Sequence, residues 1–370
     1  MSAGVTDTIA SSLPARLARL RGTAVAAPLG ARGIEQSART ARCVRRQAIT
    51  LAGLPPARVA ERVGAQERDQ QSPFAIASGN LFERAMGMNG AHQLLALYRA
   101  AGRLRPEECR VVDIHALPPS LRRVETLRLI GQKLDQRTTA PHLILQPHLA
   151  VRIAGRDEAI RPDLLVASDA DACYRVGDIK SFADLDGRTS AASIRGAVRQ
   201  VAVGVLALRA AVASLGAADP ERLVSARAEV VLRRRGTGRP SLRVIEQVDE
   251  VDIIARHIAR APALLAAVEA ALPLGATLDD PDVVMALPYR YDADCREACP
   301  LAEACRRQAA AAGDPIIVGA TGRRALAAVA SSTRALALLD DADAHGTADE
   351  DELAARLRAA ERMLGDALHG

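Results

Sequence analysis

Arg161-Pro162-Asp163-Leu164-Leu165-Val166-Ala167, followed after a turn by Gly177-Asp178-Ile179-Lys180, is the stretch on which the fold of this chain turns. Both pieces read as strands, because each is a short apolar run bounded by turn-forming residues. Side chains alternate along a strand, so Asp178 and Lys180 share one face while Ile179 points into a core. A hairpin-like turn at Ser168 to Ala172 puts Asp163 on the neighbouring strand, within reach of the same cation as Asp178, with the Ile179 carbonyl as a further oxygen. Such hard oxygen ligands suit Mg2+ or Mn2+, which keeps part of its water shell and stays open to a phosphate. The metal would activate a water and stabilise charge on the phosphate, and Lys180 would position or deprotonate the nucleophile.

Working outward, a helix is expected from about Ser78 to Ala101, stopped by Gly102. Further strands are expected at Arg110 to Ile114, His142 to Gln146, His148 to Ile153 and Cys173 to Lys180, with Gly155-Arg156-Asp157-Glu158 as a hairpin turn. Ser193 to Leu215 returns to helix, and Val224 to Arg234 pairs with Leu242 to Val248 across Gly236 to Pro240. Residues 1–70 read as helical segments broken at Pro14, Pro28, Pro55 and Pro56, and the Ala-rich tail from Ala325 as a helical hairpin. The order predicts an α/β core with helical flanks.

Composition agrees with a globular chain: 370 residues, 49% hydrophobic and 25% charged, which excludes disorder as the default. The net charge of +5 is compatible with a polyanionic partner and decides nothing alone. Only Lys133 and Lys180 are lysine among a wealth of arginines, so a surviving lysine is a candidate for chemistry that guanidinium cannot do. No stretch reaches the unbroken apolar length of a membrane helix, since Val201 to Ala218 is interrupted by Arg209, and no apolar leader follows Arg16, Arg19 and Arg21. A cytoplasmic protein is expected.

In that compartment the six cysteines read as metal or redox chemistry rather than disulfides. Cys295, Cys299 and Cys305 supply three corners of a site, and Cys43 is the candidate fourth. Four thiolates can hold a [4Fe-4S] cluster or structural Zn2+. Cys109 and Cys173 read as buried small hydrophobes. His115, His142 and His148 lie near the expected strands, and Arg161, Arg188, Arg195 and Arg199 surround the carboxylates as candidate phosphate contacts.

The carboxylate and lysine pattern resembles that of the PD-(D/E)xK phosphodiesterases, and more closely their RecB-like branch, which includes the CRISPR-associated adaptation nucleases. The resemblance runs from Cys43 to Cys305. It implies a restriction-endonuclease-like core, a central mixed sheet flanked by helices. It also implies a third ligand, Glu83 in Ser78-Gly79-Asn80-Leu81-Phe82-Glu83, and a site glutamine, Gln200. Where the family carries a tyrosine four residues after that glutamine, this chain has Gly204, which puts substrate-side contacts in question.

The distant Cys43 joined to Cys295, Cys299 and Cys305 is similar to the iron-sulfur staple of these nucleases, although C-x-x-x-C replaces the usual C-x-x-C. The implied division is a helical segment over 1–70 supplying one cluster cysteine, a nuclease core over 71–255, a cysteine-rich segment over 256–320 and a helical tail over 321–370. The implied activity is metal-dependent DNA cleavage in end processing or defence, with DNA as partner and a helicase or CRISPR-adaptation protein alongside. The chain itself has no P-loop motif. The rival expectation is a non-catalytic DNA-binding or scaffold subunit that keeps the fold and the cluster.

Overall fold

The computed structural model describes residues 12–65, 73–104, 109–167, 173–184, 189–234, 237–292, 294–340 and 346–369. The chain divides into two compact units, one of residues 1–19, 25–38 and 69–265, the other of residues 20–24, 39–68 and 266–370. The expected turn at Ser168 to Ala172, Arg188 and Gly236 lie outside the described residues.

The first unit is mixed α/β. Its strands are β1 (Val111–Asp113), β2 (Leu143–Leu145), β3 (Leu149–Ile153), β4 (Arg156–Ile160), β5 (Leu164–Ala167), β6 (Tyr174–Asp184), β7 (Arg227–Arg234) and β8 (Pro240–Glu246). Six form one sheet in the order β1-β2-β5-β6-β7-β8, and β3 and β4 form a separate hairpin. The β1–β2 and β6–β7 pairs are parallel and the remaining pairs antiparallel. The β3–β4 turn sits earlier than expected. Ala154 and Gly155 both have positive φ, 51° and 78°, the signature of a two-residue hairpin loop, so Arg156, Asp157 and Glu158 already belong to β4.

Helices cover both faces of the six-stranded sheet. The Pro73–Ala100 helix starts earlier than expected and is broken within: Met88 is extended, and Asn89, Gly90 and Ala91 are left-handed. Its Phe82, Met86 and Leu94 pack with Leu145, Leu164 and Ile179 in one buried cluster. It ends at Gly102, φ 65°, with Arg103 N–H reaching back to the Tyr98 carbonyl. The Ala191–Ser214 helix covers the opposite face, burying Val198, Val201, Val205 and Leu208. By length and composition this helix is long and apolar enough to cross a membrane although Arg209 interrupts it, and most of its apolar window is buried inside the protein, as in a core helix. The Pro119–Leu134 helix has no counterpart in the sequence reading, though prolines at its start and Thr126, Leu129 and Ile130 on its buried side mark it.

The second unit is helical. Val44–Ala52 and Pro56–Arg62 come from the N-terminal part, and Pro281–Ala286, Cys295–Ala298 and Ala302–Ala311 from the C-terminal part. The tail ends in Ser332–Asp340 and Ala348–His369, which pack through Leu338, Leu353 and Ala354 and pair Arg334 with Glu350.

Candidate active site and cysteine pocket

The register of the sheet assembles the carboxylates. Leu164 on β5 pairs antiparallel with Gly177 on β6, so Asp163, one residue earlier, falls opposite Asp178. Asp163 Oδ2 accepts the Ile179 N–H at 2.6 Å. On the same face of β6 as Asp178, Lys180 Nζ stands 2.8 Å from Asp178 Oδ2 and donates to Gln200 Oε1 of the Ala191–Ser214 helix at 3.0 Å. Asp163, Asp178, Lys180 and Gln200 are thus brought together.

The electrostatics of this group suit a cation. Burial, the Asp178 carboxylate and the nearby Glu83 push the Asp163 carboxyl well above the usual range, with Lys180 opposing. Burial works to lower the Lys180 ammonium, but Asp178 and Asp163 outweigh it and the net shift is upward. Asp178 Oδ2 is buried against the Lys180 ammonium at 2.8 Å. Two adjoining buried carboxyl groups, one of which resists ionisation, are an arrangement a divalent cation relieves.

Glu83 stands beside this group and is tied elsewhere. Its Oε1 accepts from Gln146 Nε2 at 2.6 Å. Gln146 is a site residue the sequence reading misses, held with φ 50° between β2 and Pro147 and donating its N–H to the Asp163 carbonyl at 2.8 Å. Non-glycine residues in the left-handed region cost about 1–3 kcal/mol each and gather at functional sites. Gln146 shares one cleft of about 610 Å³ with Asn80, Glu83, Met88, Asp113 and His115. A second cleft, about 370 Å³, contains Arg32, Arg161, Asp178, Lys180 and Gln200, and Asp163 lies on the wall of both. Arg32, also absent from the sequence reading, enters at the start of the Gly30–Arg39 helix. Among the described residues no three His, Cys, Asp or Glu side chains are arranged as a ready cage for one ion. A cation at Asp163 and Asp178 would therefore complete its shell with water and phosphate, as Mg2+ commonly does.

Other expected positions fare differently. Arg195 is exposed, while Arg199 is engaged by Glu250 at 2.6 Å. His142 Nδ1 accepts the Arg110 N–H at the sheet edge, and burial together with Arg161 lowers the His148 pKa. Gly204 faces the sheet: a Cβ there would lie 2.7 Å from Val176 Cγ1 and 3.4 Å from Pro162 Cγ, so the position is a close helix-to-strand approach rather than a substrate contact.

In the second unit, Cys43, Cys295, Cys299 and Cys305 line one pocket together with Arg45 and Arg46. Cys43 caps the Val44–Ala52 helix, Cys295 opens a short helix that ends before Cys299, and Cys305 lies in the Ala302–Ala311 helix. Burial pushes the Cys295 and Cys299 thiols above their usual range, and raises Cys305 to about 11 despite the adjacent Arg45. Metal binding would displace these protons. Cys173 is fully buried in the first unit and Cys109 packs partly buried against its core. No family model and no curated protein matches the chain.

Proposed function

We propose that the chain is a divalent-metal-dependent DNA nuclease with a PD-(D/E)xK core of the RecB-like type. The observation that carries this reading is the convergence of Asp163, Asp178, Lys180 and Gln200 at the junction of β5, β6 and the Ala191–Ser214 helix. Mg2+ or Mn2+ bound there supplies an acidified water and takes up charge on a phosphate. The chain's own residues do the remainder. Asp163 and Asp178 provide the anionic seat, and Glu83 stands close enough to bias it electrostatically. Lys180, held protonated beside the carboxylates and oriented by Gln200, places its ammonium toward a developing oxyanion. Arg32 and Arg161 in one cleft and Arg84 in the other can track the phosphates of a strand crossing the site.

Cys43, Cys295, Cys299 and Cys305, which line one pocket, would in this reading hold a four-thiolate centre, a [4Fe-4S] cluster or zinc, whose task is structural. It joins residues 39–68 to the C-terminal segment inside the second unit. Partners in this reading are DNA and a helicase or CRISPR-adaptation protein, in end processing or defence against foreign DNA.

The test is cleavage of single- and double-stranded linear DNA by anaerobically purified protein, with Mg2+, Mn2+ or EDTA. Metal-dependent cleavage is expected. DNA binding that weakens with salt but never leads to cleavage would replace this reading with the scaffold one.

A further inference from the structure

Two adjacent arginines enter the cysteine pocket, and they are partnered differently. Arg45, 1% exposed, has acceptors for both terminal nitrogens, the Leu287 carbonyl at 3.0 Å, Gln308 Oε1 at 2.8 Å, the Met285 carbonyl and Cys305 Sγ at 3.0 Å, and only its Nε lacks one. Its guanidinium also lies 4.5 Å from the centre of the Tyr289 ring. Arg46, 2% exposed, has no acceptor for its Nε or Nη1, and the groups that act on it electrostatically are Cys299, Cys43 and Cys295. Both arginines line the pocket that holds all four cysteines, and Arg45 donates to one of them, Cys305.

A buried guanidinium always carries its charge, and leaving its N–H groups unpaired in the interior is costly. With neutral thiols around it, Arg46 has nothing to balance it. With thiolates it does. Four thiolates around a doubly positive core leave a formal charge of about minus two, which Arg45 and Arg46 match. Thiolate sulfur in the shared pocket would offer its orphan donors an acceptor.

We propose that Arg46 is the built-in counter-charge of an anionic tetrathiolate centre, donating to its sulfur atoms and stabilising its bound state, with Arg45 serving as the scaffold of the same pocket. The inference rests on the four-cysteine centre and not on the nuclease activity.

It makes a prediction of opposite sign for the loaded and stripped protein. In Arg46→Met the loaded protein should release its metal to a chelator about ten- to hundredfold faster than wild type and melt lower. The chelator-stripped full chain should instead melt higher than stripped wild type, because a buried charge without a partner has been removed. Arg46→Lys, which keeps the charge, should retain metal content close to wild type. Counting iron and zinc in the same anaerobic samples separates a cluster from a zinc site.

Lower melting of Arg46→Met in both states, or metal release at the wild-type rate, would overturn the proposal. So would failure of both Arg46→Met and Arg46→Lys to fold, because Arg46 would then belong to the fold itself. None of these readouts involves DNA, so a metal-loaded protein that cleaves nothing counts against the nuclease reading alone.

Discussion

Replacing Asp163 with asparagine removes one charge from a site where charge is in excess while preserving an oxygen to accept the Ile179 N–H, now at 2.6 Å. In the metal-free protein, burial, Asp178 and Glu83 keep the Asp163 carboxyl protonated to a higher pH than in the unfolded chain. The folded state therefore binds more protons than the unfolded one from the unfolded pKa, about 3.9, up to the raised folded value. Stability without metal falls as pH climbs through that window, by about 1.4 kcal/mol per unit. The asparagine variant lacks this slope, so in EDTA its stability relative to wild type should rise with pH through that window. With Mn2+, wild type should gain about 2.7 kcal/mol at a hundredfold excess over Kd, and the variant little. Thermal unfolding from about pH 5 to 8, with EDTA or Mn2+, reads both effects. A variant whose stability relative to wild type does not rise with pH in EDTA, or a wild type whose melting Mn2+ leaves unmoved, would refute the reasoning.

Gln146→Ala releases the Glu83 carboxylate, and Mn2+ affinity measured by titration should weaken about tenfold, the cost of losing a supporting contact. Gly204→Ala pushes a methyl to 2.7 Å from Val176 Cγ1. Urea unfolding should show a loss of about 1–3 kcal/mol, with DNA affinity per folded molecule unchanged. Cys43→Ala, purified without oxygen, should lose metal and thermal stability, whereas Cys109→Ala, which alters a residue packed against the first unit's core, should keep its metal.

The parts of the site legible in the sequence are those fixed by local geometry. Strand alternation separates Asp178 and Lys180 from Ile179, and antiparallel pairing sets Asp163 against Asp178. That Cys43 shares a pocket with the C-terminal cysteines could be suspected from the sequence because grouped cysteines in a reduced chain usually mean metal or redox chemistry. What is not legible depends on backbone geometry that side chains do not announce. Gln146 reaches Glu83 from a left-handed backbone that a Gln-Pro step gives no reason to expect. Ala154 takes a hairpin position usually marked by asparagine or glycine, which moves the turn away from the charged residues after it. The break at Asn89 to Ala91 likewise interrupts a continuous apolar helical pattern. Gly204 has a reason visible only in three dimensions, the nearness of Val176. The Pro119–Leu134 helix is different: its Pro-Pro start and apolar spacing are in the sequence, and the strand-rich surroundings hide it.

The most direct measurement of the central claim is single-turnover cleavage of end-labelled linear DNA at saturating Mn2+, comparing wild type with Asp178→Ala and Lys180→Arg after circular dichroism has shown each to be folded. Lys180 Nζ sits between Asp178 and Gln200 at 2.8 and 3.0 Å, spacing that a bulkier guanidinium cannot reproduce. Wild type should cleave only with the metal, Asp178→Ala should be inactive, and Lys180→Arg should be slowed about 10²- to 10⁴-fold. Cleavage by Asp178→Ala at the wild-type rate, or by wild type equally well in EDTA, would contradict the assignment of these residues as a metal-dependent nuclease site.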